Sequence, residues 1–319
     1  MIDNSGKTNE LISFNPKNQK RKAIIVAGAT ASGKTALAVA LAQRVNGVVI
    51  NADSMQVYRD VPILTALPTV KEQGGVAHKL FGFLPPEADF NVAAWLRLAA
   101  NEIETAFDKG KTPVIVGGTG LYFDVLTNGV NFIPDIPESV RCDVRARFKK
   151  IGRDAFLSEY LAKDPTFPFS DAQRLQRAAE VFEATGKTVG YFHARPKQKA
   201  VKADFYALLL APDRATLYER CDKRFDSMIR NPDVFEQVRA LFAQNPPENA
   251  SVLKAVGVRE LKAYLDGETD LASAVETSKR HTRNYAKRQT TWFTHRFTAQ
   301  KTVSNVDFDE ILTNVLRFL

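Results

Sequence analysis

Apolar residues enter this chain in short bursts whose spacing changes with position. Ala23–Ala27 (AIIVA) is an unbroken apolar run of strand length, and Lys34–Arg44 beyond it has helical spacing. Val48–Ile50 is a second apolar run that passes into NADSMQVYR, and Ala93–Phe107 again follows a helical period. PVIVGGTGLYF (Pro113–Phe123) then repeats the order of strand, glycine turn and helix. The alternation predicts an α/β fold: a parallel sheet covered by helices on both faces. Ligands of such sheets gather beyond the carboxyl ends of the strands. Asp53, Thr119 and the glycine-containing loop after Ala27 all fall there.

After Pro134 and Pro137 only helical spacing remains, through about Gln198, and the first of these helices carries Arg141, Arg145, Arg147, Lys149 and Lys150. DFYALLLAP (Asp204–Pro212) restores sheet character, followed by a helix with Arg220 and Arg224 and further helices to about Trp292, interrupted by a loop at Asn245–Asn249. The expected organisation is a basic mobile tail over 1–22 (with Lys17, Lys20, Arg21 and Lys22 at its end) and the first part of the core over 23–133. An all-helical insertion follows over 134–198, and the core resumes over 199–319 with a basic helical carboxyl-terminal part.

The 319 residues suffice for a sizeable core plus a second module, and 45% hydrophobic with 25% charged residues is the balance of an ordinary globular protein. No apolar run reaches the ~18 residues of a membrane span, and the first residues lack a secretory apolar stretch. A cytoplasmic monomer without a membrane role is expected. Cys142 and Cys221 have no C-x-x-C neighbour and read as packing residues. The net charge of +8 is unevenly placed: Thr277–Val306 has no Asp or Glu but seven cations, Lys279, Arg280, Arg283, Lys287, Arg288, Arg296 and Lys301. Such a stretch suits a polyanion, or is a solvated helix face.

GATASGKT (Gly28, Ala29, Thr30, Ala31, Ser32, Gly33, Lys34, Thr35) matches the phosphate-loop pattern G-x-x-x-x-G-K-[ST] between a strand and a helix. Backbone amides and the Lys34 ammonium would hold phosphates, and Thr35 a Mg²⁺ ion. A nucleotide hydrolase would add an apolar strand ending in an acid, yet Val114–Val116 ends in Gly117 and Gly118 and LLLAP has none. Asp53 is the one carboxylate placed beside the loop, either as a general base or as a helix cap. Thr119 offers one hydrogen bond, with Gly117, Gly118 and Gly120 allowing a ligand close approach or serving only a turn. Arg220 and Arg224, spaced i, i+4, can clamp a diphosphate or pair with Glu219 and Asp222. The histidines, His78, His193, His281 and His295, show no metal-ligand spacing. Trp292 suits core packing better than an unstacked base.

GATASGKT, NADSMQVYR, PVIVGGTGLYF, DAQRLQRAAEVFEATGK, KAVGVREL and TRNYAKRQTTWF, in that order, resemble the tRNA dimethylallyltransferase family over about Ala23–Phe297. The resemblance implies transfer of a dimethylallyl group from dimethylallyl diphosphate to the N6 amine of the adenosine 3′ of the anticodon. It also implies roles: Asp53 as base at the amine, Thr119 near the bridging oxygen, and Lys34, Thr35, Arg220 and Arg224 on the diphosphate and Mg²⁺. The anticodon stem-loop would meet Asp53, Ser54, Met55 and Gln56, then Gln173, Arg174, Leu175, Gln176 and Arg177. Further contacts would be Lys254, Ala255, Val256, Gly257, Val258 and Arg259, then Arg283, Lys287, Arg288 and Gln289, with Thr119 and Arg141 singly. Three positions depart from the pattern: Ala29 for proline, Leu67 for a cation, and Val258 for an aromatic residue. The lack of a cysteine-histidine extension favours a bacterial type. Rival readings are a prenyltransferase of free adenine nucleotides, a small-molecule kinase and a non-catalytic RNA-binding module.

Overall fold

The computed structural model describes residues 21–88, 90–168 and 171–319. Two compact units emerge, one formed by the chain up to Thr127 with Val201–Leu319, the other by Asn128–Ala200. The first contains β1 (Lys22–Gly28), α1 (Lys34–Arg44), β2 (Gly47–Asn51), α2 (Pro62–Thr65), β3 (His78–Lys79), α3 (Val92–Asp108), β4 (Thr112–Gly117) and α4 (Gly120–Asn128). The second contains α5 (Glu138–Ile151), α6 (Arg153–Lys163), α7 (Ala172–Thr185) and α8 (Val189–His193). The first unit resumes with β5 (Asp204–Leu210), α9 (Arg214–Arg230), α10 (Asp233–Ala243), a 3-10 turn at Ser251–Lys254, α11 (Val258–Leu265), α12 (Leu271–Arg296), β6 (Lys301–Val303) and α13 (Phe308–Phe318).

The six strands form one parallel sheet in the order β3-β2-β4-β1-β5-β6. β1 lies centrally, with Val26 opposite Val116 of β4 and Leu208 of β5. Its interior position explains the unbroken apolar run, because a strand covered on both faces has no polar side to alternate with. On one face Ile24, Val26, Val114 and Leu208 pack against Leu37 and Leu41 of α1 and Ile311 and Val315 of α13. A separate cluster joins Val57, Leu64, Phe225, Val258 and Leu261.

Two expectations change. Arg21 and Lys22 are not part of a tail: Arg21 O accepts from Asp204 N at 2.8 Å, and Lys22 opens β1 with its ammonium on the carbonyls of Phe318 and Leu319. The rest of the expected tail, 1–20, lies outside the described residues. Beyond Trp292, α12 continues to Arg296, and the acid-free stretch also contains β6, which pairs with β5 through Leu209 and Thr302.

The second unit buries Val144, Phe156, Tyr160, Leu175, Ala178 and Ala179 among its helices. Its two ends meet where Val130 and Gln198 exchange backbone hydrogen bonds of 3.0 and 2.8 Å. Gly129, at φ +81°, makes this closure possible, since a Cβ there would lie 2.6 Å from Gln198 O.

Candidate active site

Beyond β1 the chain turns through Ala29–Gly33 into α1. Gly33 stands at φ +92°, a left-handed conformation that glycine adopts freely. Ala31 holds φ +63°, which costs a residue with a Cβ about 1–2 kcal/mol. The turn leaves the amides of Ala31, Gly33, Lys34 and Thr35 without a protein acceptor among the described residues, whereas Ser32 N reaches Ala29 O at 3.2 Å. The buried Ser32 Oγ also has no partner. Unpaired amides at a helix N-terminus form an anion cradle. Lys34 is buried beside them, its Nζ donating to Ala29 O at 3.2 Å. Burial lowers its pKa to about 8; Asp53 opposes that shift and Arg224 adds to it.

Asp53 follows β2, and the wholly buried Asn51 at the end of that strand fixes its backbone. The Asn51 side chain accepts from Asp53 N (2.8 Å) and donates to Asp53 O (3.0 Å) and Leu80 O (2.9 Å). Trp95 Nε1 in turn donates to Asn51 O at 2.7 Å. Asp53 Oδ1 accepts from Met55 N at 2.9 Å, so the residue does cap the following turn, and no other hydrogen bond to its carboxylate is present among the described residues. Thr119 Oγ1 accepts from Ser54 N at 2.9 Å and donates to Ser54 Oγ at 3.3 Å, joining the β4–α4 turn to the segment after Asp53. Burial and, secondarily, the Asp53 charge push the phenols of Tyr122 and Tyr285 up, keeping both neutral. Tyr122 stacks on Trp95 with ring centroids 4.3 Å apart.

A cleft of about 760 Å³ brings Thr30, Ala31, Gly33, Lys34 and Thr35 together with Asp53, Gln56, Arg220 and Arg224. Its remaining wall includes the apolar Ile63, Ala66, Leu67 and Met228. Arg224 donates to Thr30 Oγ1. Along α9, Glu219 pairs with Lys223 and Asp222 takes Arg283 at 2.8 Å, while the Asp53 charge acts on Arg224 across the cleft. Both arginines line the cleft. Leu67, which departs from the family pattern, contributes apolar surface there in place of a cation.

Several residues expected to meet RNA have side chains engaged within the protein. Leu175, Ala255 and Val258 are interior residues, so their side chains pack hydrophobic clusters. Gly257, at φ +96°, faces Leu64 and Phe225 so closely that a Cβ would meet Leu64 Cδ2 at 2.9 Å. Arg283 is held by Asp222 and by Glu276 at 3.1 Å. Gln289 is buried and bonds the phosphate loop. Gln56 spends its amide on Thr65 O and Ala66 O. Lys254, Arg259, Lys287 and Arg288 are exposed, as are Gln173, Arg174 and Arg177 of the second unit. In that unit Arg177 pairs with the buried Glu180, Arg174 with Asp171, and Arg141 with Glu138.

The glycines of GGTG also receive a different explanation from ligand approach. A Cβ on Gly117 would collide with the Ala52 backbone, one on Gly118 with Gln289 Nε2, and one on Gly120 with the Trp292 ring. The space they leave is filled by the protein itself. Trp292 is half-buried against Gly120 and lines a second cleft with Asn284, Lys287, Arg288, His295 and Arg296. Trp95 and Gln289 act around the site through backbone atoms of distant segments, Asn51 O for the one and Thr30 N and Gly118 O for the other, whereas Asn51 acts on Asp53 two residues away.

A family model described as IPP transferase matches residues 56–296, and one described as isopentenyl transferase matches 21–78. The chain is similar to the tRNA dimethylallyltransferase of Paramagnetospirillum magneticum, with 40% identity over 92% of this chain and 94% of the relative. It is likewise similar to that of Rhizobium meliloti, with 44% identity over 85% of this chain and 91% of the relative. Among solved structures, the full-length tRNA isopentenylpyrophosphate transferase of Bacillus halodurans superposes with TM-score 0.67 at 32% identity, covering 94% of this chain and 95% of that one. A eukaryotic dimethylallyltransferase acting on tRNA reaches TM-score 0.77 at 27% identity, covering 93% of this chain and 77% of that one.

Proposed function

The chain belongs to the IPP transferase family, and from that premise we propose that it transfers a dimethylallyl group from dimethylallyl diphosphate to the N6 amine of the adenosine 3′ of the anticodon in tRNA, releasing diphosphate. The observation that carries this reading is the single cleft holding the unpaired amides of the phosphate loop, Arg220, Arg224, Asp53 and an apolar wall. An allyl diphosphate has the matching parts, a multiply charged head and a short hydrocarbon.

In the transfer, the N6 lone pair attacks the first allylic carbon while the bond from that carbon to the bridging oxygen breaks. The electron pair leaves with the diphosphate, and the proton of the amine passes to the Asp53 carboxylate. Lys34, Arg220, Arg224 and the loop amides stabilise the anion as its charge grows, which is where fixed dipoles lower a barrier most. Thr119 assists near the bridging oxygen, giving up its long bond to Ser54 Oγ. Ile63, Ala66, Leu67 and Met228 exclude water from the developing carbocation. Thr35 would hold Mg²⁺ beside the loop, and the ion would supply positive charge to help neutralise the diphosphate.

The adenosine must leave the anticodon stack to reach Asp53. Exposed Lys254, Arg259, Lys287 and Arg288, and separately Arg141, Gln173, Arg174, Gln176 and Arg177 of the helical unit, would hold the RNA backbone meanwhile. We assign the protein to the cytoplasm, acting as a monomer; no helix among the described residues is long and apolar enough to cross a membrane. The test is mass spectrometry of nucleosides from tRNA incubated with the protein, Mg²⁺ and dimethylallyl diphosphate. The expected product is N6-dimethylallyladenosine at a single position, and its absence would reject the assignment.

A further inference from the structure

Gln289 lies in the basic stretch of α12 where contacts with RNA are expected, yet its side chain points the other way. It is buried, its Oε1 accepts from Thr30 N at 2.8 Å, and its Nε2 donates to Gly118 O at 2.9 Å. One partner can only donate and the other can only accept, so the orientation of the amide is settled by its surroundings. Gly118 has no Cβ because Nε2 occupies that space. One side chain thus ties the third residue of the phosphate loop to the turn that carries Thr119.

We propose that Gln289 is a positioning residue for the diphosphate site, holding the phosphate loop open for its ligand, and not an RNA contact. This rests on the functional reading above only in naming the ligand a diphosphate. Among the described residues, Thr30 N is the loop amide ahead of the cradle that an outside side chain satisfies. Without that acceptor the part-buried amide would be left unpaired, at a cost the loop could lower by shifting to another acceptor. A loop that closes on its own carbonyls points fewer amides at an anion. Thr30 also receives Arg224 on its hydroxyl, so a shift of Thr30 would move one of the two cleft arginines as well. Lys287 and Arg288, adjacent in sequence, are exposed and carry the opposite expectation, weaker RNA binding with an intact diphosphate site.

Gln289→Met preserves length and removes both hydrogen bonds. Calorimetry with inorganic pyrophosphate and Mg²⁺ should give a Kd raised about tenfold, the scale of losing one to two net hydrogen bonds, while the Kd for tRNA stays within twofold. In turnover the KM for the diphosphate donor should rise and kcat fall, with the KM for tRNA unchanged. Gly118→Ala approaches the same bond from its other end, since the added methyl displaces Nε2, and it should reproduce the split if the first variant does not fold. A raised tRNA Kd with an unchanged pyrophosphate Kd would overturn the proposal. So would equal losses for both ligands accompanied by a lower Tm, the signature of a purely structural role. Should the wild-type protein bind pyrophosphate but transfer no prenyl group, the functional reading falls while the difference between wild type and Gln289→Met still tests this one.

Discussion

Asp53 combines two duties that a single carboxylate can perform together: one oxygen caps its own turn through Met55 N, and the group lines the cleft. Asp53→Ala should slow single-turnover transfer by roughly 10²- to 10⁴-fold, the range for a general base, with Tm lowered only by the loss of one cap. Normal turnover would remove the residue from the chemistry. Lys34 yields a prediction in pH. Its pKa of about 8 lies below the ordinary lysine value of 10.5, so between those values the unfolded chain holds a proton that the folded chain has released. Unfolding free energy contributed by Lys34 therefore increases as pH rises through that window, and below pH 8 the buried ammonium opposes folding. A bound anion restores the proton. At about pH 8.5, just above that folded-state pKa, calorimetry of an alkyl diphosphate in buffers of different ionisation enthalpy should show net proton uptake, and Lys34→Met should abolish it. Uptake unchanged in the variant would assign it to another group. Asp53, Lys34 and the arginine pair are legible in the sequence because their chemistry and spacing are local. The role of Gln289 is not: its partners lie 259 and 171 residues away and are main-chain atoms, which leave no trace in the pattern of side chains.

Among the elements, α12 shows how a charge run can mislead. Thr277–Val306 contains no acid, but Asp222 and Asp226 of α9 neutralise Arg283 and Lys279, and Glu310 of α13 neutralises Lys301. Arg283, a cation expected to meet RNA, is thus held by acids of the protein itself, Asp222 and Glu276. Sequence periodicity locates the buried strands β1, β4 and β5, whose continuous apolar runs have only one explanation. It misses β6, a three-residue edge strand whose burial comes from pairing and not from composition. From these pairings, Lys287→Ala with Arg288→Ala should flatten the salt dependence of tRNA binding by roughly 0.7–0.9 in log-log slope for each phosphate no longer neutralised. Arg283→Ala should leave that slope nearly unchanged, since its guanidinium is already neutralised by Asp222 and Glu276. Filter binding across a salt series separates the two, and a slope change in Arg283→Ala equal to that of Lys287→Ala would return Arg283 to the RNA surface.

At the scale of the whole molecule, the spacing of apolar residues implies an insertion within a core, and the chain divides at Asn128 and Ala200. The core unit contains the phosphate loop, Asp53, Thr119, both cleft arginines and α12. The helical unit contributes its own packed cluster and the exposed Gln173, Arg174 and Arg177. Because Val130 and Gln198 already meet in backbone hydrogen bonds, residues 131–197 can be replaced by a short hairpin turn without leaving the core strands unconnected. If all of the diphosphate chemistry belongs to the core, that shortened protein should bind pyrophosphate and Mg²⁺ within about twofold of the parent, since every phosphate-holding group is still in place. Its affinity for tRNA should fall, by an amount that shrinks as salt is raised, because the attraction removed is electrostatic. A nucleotide hydrolase built on the same loop would instead turn over ATP, which neither protein should do, as β4 ends in glycines where that chemistry needs an acid to hold Mg²⁺. Phosphate release from ATP by either protein would contradict the assignment of the loop to a diphosphate. Loss of pyrophosphate binding in a shortened protein that still unfolds cooperatively would show that the helical unit completes the site.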